Sequence, residues 1–137
     1  MKIIESREVY KCKLFRVTED KAVDPKTGFE INRSVVRHNG SAVVLAVHRR
    51  SILLVRQYRL PAEKSLWELP AGKVDEGETP MAAAKRELAE ETGYTAENWS
   101  LLASFYASPG FVNERMHVYL ATDLTEGKAT PMDDERI

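Results

Sequence analysis

The sequence holds one cysteine, Cys12, among 137 residues, so it cannot form an internal disulfide. That scarcity points to a reducing compartment and excludes a small disulfide scaffold. Long apolar runs are also missing. The first residues, MKIIESREVYKCKLF, lack the apolar core of a signal peptide, and no run approaches the ~20 residues of a membrane span. Neither sign of charge dominates. A formal net charge of -1 gives no global field for nucleic acid or an anionic membrane. The basic cluster His48-Arg49-Arg50 is too short to serve as a nucleic-acid patch. No cluster of histidine and cysteine exists to hold zinc, and there is no internal repeat or low-complexity tract. These absences lead to the expectation of a cytoplasmic protein with no nucleic-acid or membrane partner.

What is present is ordinary for a globular chain: 43% hydrophobic and 30% charged residues, in a length that buries a real core. The first forty residues read as short strands and turns. Lys11 to Val17 is extended in character, Asp24 to Gly28 carries turn chemistry, and Ile31 to His38 completes an antiparallel hairpin. Ala42 to Val47 is a continuous apolar run, as expected of a strand buried on both faces. His48-Arg49-Arg50-Ser51 links it to a second run, Ile52 to Val55, in a central hairpin. One helix is predicted from Thr79 to Gly93, with Thr79 as N-cap, Pro80 in the first turn and Gly93 as the left-handed terminator. Later strands are expected at Leu101 to Ala107 and Met116 to Ala121, with Pro109-Gly110 breaking the chain between them. The element order favours an α+β or mixed α/β fold.

The predicted helix places carboxylates where local electrostatics oppose them. Glu90 and Glu91 stand near its C-terminus, the negative end of the helix dipole. At about 100° per residue, with Ala84 at zero, Leu88 falls at about 40°, Met81 at about 60° and Glu91 at about -20°. Glu87 lies at about -60° and Glu90 at about -120°. Glu91 therefore belongs angularly with the core-facing residues. Glu87 and Glu91, at i and i+4, also repel by a few tenths of a kcal/mol. One reading is a solvated acidic face balanced by Lys85 and Arg86. The other is a bound divalent cation, with Mg²⁺ favoured because only oxygen ligands are on offer. That second reading brings phosphate chemistry with it.

The pattern of Gly72, five residues, Glu78, seven residues, then Arg86-Glu87-Leu88-Ala89-Glu90-Glu91-Thr92-Gly93-Tyr94 resembles the Nudix box at every fixed position. The resemblance implies a Nudix-type α/β/α sandwich with the N-terminal antiparallel hairpin as an extension. Residues 1–40 would form that extension, serving dimerisation and substrate, and residues 41–137 the hydrolase domain. Glu87 and Glu91 would be the principal metal ligands, Glu90 a further or outer ligand, and the carbonyls near Ala71 and Gly72 would join the shell. Arg86 would orient the glutamates, and Glu78 would hold the loop against the helix. The family's cofactor is Mg²⁺, with Mn²⁺ as the alternative, in two or three ions.

Segments outside the box resemble the ADP-ribose pyrophosphatase branch. They are Val55-Arg56-Gln57-Tyr58-Arg59, Trp67-Glu68-Leu69-Pro70-Ala71-Gly72, and Ser108-Pro109-Gly110-Phe111 with Glu114. The resemblance implies Mg²⁺-dependent hydrolysis of ADP-ribose to AMP and ribose 5-phosphate. Alternatives are hydrolysis of another nucleotide sugar such as GDP-mannose, or a non-catalytic ADP-ribose sensor. Arg56 and Arg59 can donate in a plane to phosphate. Phe15, Phe29, Tyr58 and Trp67 are aromatic surfaces for adenine, each with a core role as the competing reading. Phe29 and Pro109 complete the substrate set. The general base would be Glu135, with Glu114 second, and the N-terminal hairpin would exchange across a homodimer. Related enzymes continue into another strand and a C-terminal helix beyond the position of Ile137, so the resemblance predicts a poorly anchored late loop.

Overall fold

The computed structural model describes residues 1–129, and the chain divides into two compact units. The first comprises Met1–Gly40 with Tyr106–Arg115. Its three antiparallel strands are β1 (Lys2–Lys11), β2 (Arg16–Val23) and β3 (Glu30–Arg37), in that order across the sheet. The expected hairpin is present as β2–β3, joined by the Asp24–Gly28 turn. There Gly28 N–H donates to Asp24 O at 2.9 Å, and Gly28 takes φ +74.

The edge strand β1 corrects the sequence reading, which began the first strand at Lys11. Lys11 instead ends β1, and Cys12 to Phe15 forms a bend closed by Cys12 N–H to Phe15 O at 2.9 Å. The β2 strand alternates, burying Thr18, Asp20 and Ala22. A buried carboxylate demands partners, and Asp20 accepts from Ser6 Oγ at 2.6 Å and from Arg37. These bonds, that from Ser6 first, hold the Asp20 carboxyl below its usual range.

The second unit comprises Ser41–Phe105 with residues from Met116 onward. Its sheet runs β5 (Ser51–Ile52), β4 (Ser41–His48), β10 (Arg115–Glu126), β9 (Tyr94–Tyr106), and β8 (Ala71–Lys73) also pairs with β4. A separate hairpin joins β6 (Val55–Arg59) and β7 (Lys64–Glu68). The β4 and β10 strands are parallel, with Val44 opposite Tyr119. Parallel neighbours need a long crossover, and the segment between them supplies it with the helix α1 (Pro80–Thr92).

Two strand expectations change. The run Ala42 to Val47 is not buried on both faces: Ala42, Val44 and Ala46 point into the core while Val43, Leu45 and Val47 are half-buried. The hairpin after it is short: Ser51 and Ile52 pair back, and Leu53 N–H adds a bond to Ala46 O at 3.0 Å, before Val55 opens β6. The later strands are longer than the apolar runs that announced them. The core packs Ala42, Val44, Ala46, Tyr119 and Ala121 from the sheet against Ala83, Ala84 and Leu88 of α1. The alanines let helix and sheet approach closely. Leu88, wholly buried, contributes about 2 kcal/mol by area removed from water.

Candidate active site

Local chemistry fixes both ends of α1. Thr79 Oγ1 accepts from Ala82 N–H at 3.2 Å, Pro80 occupies the first turn, and Gly93 at φ +76 donates to Ala89 O at 2.9 Å. Before the helix, the chain turns at Gly77, φ +80. Glu78 closes that turn by accepting Asp75 N–H at 3.1 Å.

The helical spacing brings Glu87 and Glu91 to the core face, where their residues are 4% and 6% exposed. Glu90 is turned further out, its side chain 28% exposed. Opposite them lies β8, whose Ala71 and Gly72 pair with Val43 and Ala42. Glu91 Oε2 accepts Ala71 N–H at 3.0 Å. Glu87 stands against Gly72, in the space that any Cβ there would fill.

Arg86 ties the loop to the acidic cluster. Its Nε donates to Glu78 Oε1 at 3.1 Å and its Nη2 to Glu78 Oε2 at 3.0 Å. Nη2 also donates to Lys73 O at 3.1 Å, and Nη1 to Glu87 Oε1 at 2.6 Å and Glu90 Oε2 at 3.1 Å. These bonds match the five N–H donors of a guanidinium. The hydrogen bond to Glu78 leads the contacts that raise the Arg86 pKa, and the reciprocal bond lowers that of Glu78.

The metal-ligand residues predicted from sequence thus lie together on one helix end and one strand. Among the described residues, however, no three acidic, histidine or cysteine side chains are grouped as the ligands of one metal ion. Glu87 and Glu90 are drawn to Arg86, and Glu91 to the Ala71 amide. The donor set fits a hard cation such as Mg²⁺. It offers carboxylate oxygens, two of them from buried glutamates, beside a backbone that glycine opens to close approach.

The predicted substrate residues are divided. Arg56 lies 6.0 Å over the Trp67 ring, and Trp67 is 68% exposed, so its indole is a surface group and not a core one. Arg59 is engaged with Glu68, Nη2 to Oε2 at 2.7 Å and Nε to Oε1 at 3.0 Å. Phe29, exposed at the β2–β3 turn, Pro109 and Glu114 all belong to the first unit. Glu114 Oε1 is 3.9 Å from His38 Nδ1. Glu135 lies outside the described residues.

Some partners were not visible in the sequence. Glu68 is nine residues from Arg59 and follows from the β6–β7 register, which the sequence reading did not assign. Asn113 Oδ1 accepts His38 N–H at 2.7 Å across 75 residues, and no local signal marks that pair.

Residues 36–137 match the profile of the family described as NUDIX domain. The "Methanol dehydrogenase activator" of Bacillus methanolicus is 39% identical over 136 residues, spanning 98% of this chain and 73% of that protein. The "ADP-ribose pyrophosphatase" of Bacillus subtilis (strain 168) is 41% identical over 132 residues, spanning 91% and 70%. Among solved structures, "Crystal structure of ADP compounds hydrolase" superposes with a TM-score of 0.81. It is 23% identical, covers 98% of this chain and 74% of that one, and so bears on the fold.

Proposed function

The chain belongs to the NUDIX domain family, and on that premise we propose that it hydrolyses the diphosphate bond of ADP-ribose, giving AMP and ribose 5-phosphate. The observation that carries the reading is the Arg86-centred cluster, with Glu87 and Glu91 buried against Ala71 and Gly72. The similarity to a protein named ADP-ribose pyrophosphatase supports the choice of substrate.

In this reading Glu87, Glu90, Glu91 and the backbone at Ala71 and Gly72 hold Mg²⁺, or Mn²⁺ in its place, in two or three ions. When bound, the metal supplies positive charge against the diphosphate and acidifies a coordinated water. Arg86 orients the Glu87 and Glu90 carboxylates through its forked donors. Arg56 and Arg59 bind phosphate, and Trp67 or Phe29 offers a stacking surface to adenine. A carboxylate outside the helix, Glu135 or Glu114, takes the proton from the attacking water.

Homodimer formation belongs to the same proposal. Ile3, Ile4, Val9, Tyr10 and Leu14 are about half exposed in the first unit, as are Leu101, Leu102, Phe105 and Tyr106 on β9. Light scattering at twice the chain mass supports this part, and monomer mass contradicts it. Cytoplasmic residence is proposed from the single cysteine.

The test is a chromatographic assay with Mg²⁺ of ADP-ribose, GDP-mannose and a dinucleoside polyphosphate. AMP formed from ADP-ribose in clear preference supports the reading. Preference for GDP-mannose moves the enzyme to another nucleotide sugar, and binding of ADP-ribose without turnover makes the chain a sensor.

A further inference from the structure

Gly93 and Gly127 bring two backbones into contact at the end of the acidic helix. A Cβ placed on Gly93 would sit 2.6 Å from Ala129 N, 2.8 Å from the Lys128 carbonyl carbon and 2.9 Å from Gly127 O. A Cβ placed on Gly127 would sit 2.8 Å from Gly93 O. Side chains essentially never approach backbone this closely, so something must shift before either position accepts one. Gly93 has a second reason to be glycine, its φ of +76. Gly127 does not take a positive φ and is solvent-exposed, so alanine would suit its backbone. What opposes alanine there is Gly93.

The crossing lies two residues beyond Glu91. The last turn of α1 moves with its cap, because Gly93 N–H bonds Ala89 O at 2.9 Å and Thr92 Oγ1 bonds Leu88 O at 2.5 Å. Glu91 in turn receives Ala71 N–H at 3.0 Å. A push on the cap therefore reaches the contact between carboxylate and loop. Resting on the hydrolase reading above, we propose that Gly127 is a positioning residue for the reaction. Its bare Cα lets the chain leaving β10 lie against Gly93, and this sets the last helical turn that carries Glu90 and Glu91.

The test compares Gly127→Ala with Lys128→Ala, an exposed neighbour that supplies only a backbone atom to the contact. All rates are normalised to the folded fraction from far-UV circular dichroism. In Gly127→Ala, kcat for ADP-ribose should fall about ten- to a hundredfold with KM within about twofold. The Mg²⁺ concentration for half-maximal rate should rise severalfold, and Lys128→Ala should match the wild type. A merely structural glycine would lower kcat only with the folded fraction and leave the Mg²⁺ dependence unmoved. That result, or an unchanged kcat, overturns the proposal. Should the wild type itself fail to cleave ADP-ribose, the hydrolase reading falls by itself. Positioning is then read by Mn²⁺ titration in electron paramagnetic resonance. Binding about tenfold weaker in Gly127→Ala supports it, and equal binding overturns it.

Discussion

The Glu87 carboxylate occupies the space that a side chain at Gly72 would need. A Cβ on Gly72 would overlap it, and even the farther oxygen, Oε2, would lie 2.6 Å away. The obstacle is the end of a flexible side chain, so Gly72→Ala should fold by rotating Glu87 out of place. We expect kcat/KM to fall about a hundredfold with the far-UV spectrum unchanged. Steady-state kinetics on the folded variant checks this.

Arg86→Lys tests the forked geometry. A lysine keeps the charge but has three donors where the guanidinium makes five bonds. Three donors cannot replace the five bonds to Glu78, Glu87, Glu90 and the Lys73 carbonyl. Stability should fall by about 2 kcal/mol in urea denaturation, and turnover should fall with the loss of carboxylate orientation.

Acid should weaken the same junction through Glu78. Its folded pKa lies below its ordinary value of 4.5, chiefly through the Arg86 hydrogen bond. Its ionised form is therefore favoured by folding. The stability it contributes is complete above the ordinary pKa and is lost as pH falls through the folded one. Glu78→Gln should be less stable than the wild type at pH 7, and the gap should narrow below about pH 4.5. Asp20, also depressed, is common to both proteins and cancels in the difference. Urea midpoints across pH measure the gap, and one that is constant with pH contradicts the assignment.

The acidic helix α1 was legible because its signals are local. Thr79, Pro80 and Gly93 each act within a turn of their own position, and residue spacing alone placed Glu91 with the core-facing residues, whereas the burial of Glu87, set at about -60° on the wheel, emerged only from the packing of α1. The β1 strand was not legible. Bulges between Ile3 and Glu5 and between Glu8 and Tyr10 interrupt its period of two, and every residue in it is exposed. Partners such as Asn113 with His38 arise only from the tertiary path of the chain. Arg56 and Trp67 could be named from sequence, but their juxtaposition came from the β6–β7 register.

The turn between β4 and β5 carries avoidable strain. Arg49 and Arg50 take φ of 48 and 68, the left-handed pair of a two-residue hairpin turn that asparagine and glycine suit better. Replacing them with Asn and Gly should raise stability by about 1 kcal/mol. A higher urea midpoint at constant slope, with unchanged activity, is the expected result.

In the proposed reaction the carboxylates on the core face of α1 serve metal and diphosphate. Glu91→Gln tests this role most directly. The substitution removes the charge, keeps an oxygen for the Ala71 amide, and nearly preserves volume. Mg²⁺-dependent hydrolysis of ADP-ribose is measured for wild type and variant, with folding verified by circular dichroism. The variant should fold and lose turnover at every Mg²⁺ concentration. A folded variant that turns over at the wild-type rate would contradict that role.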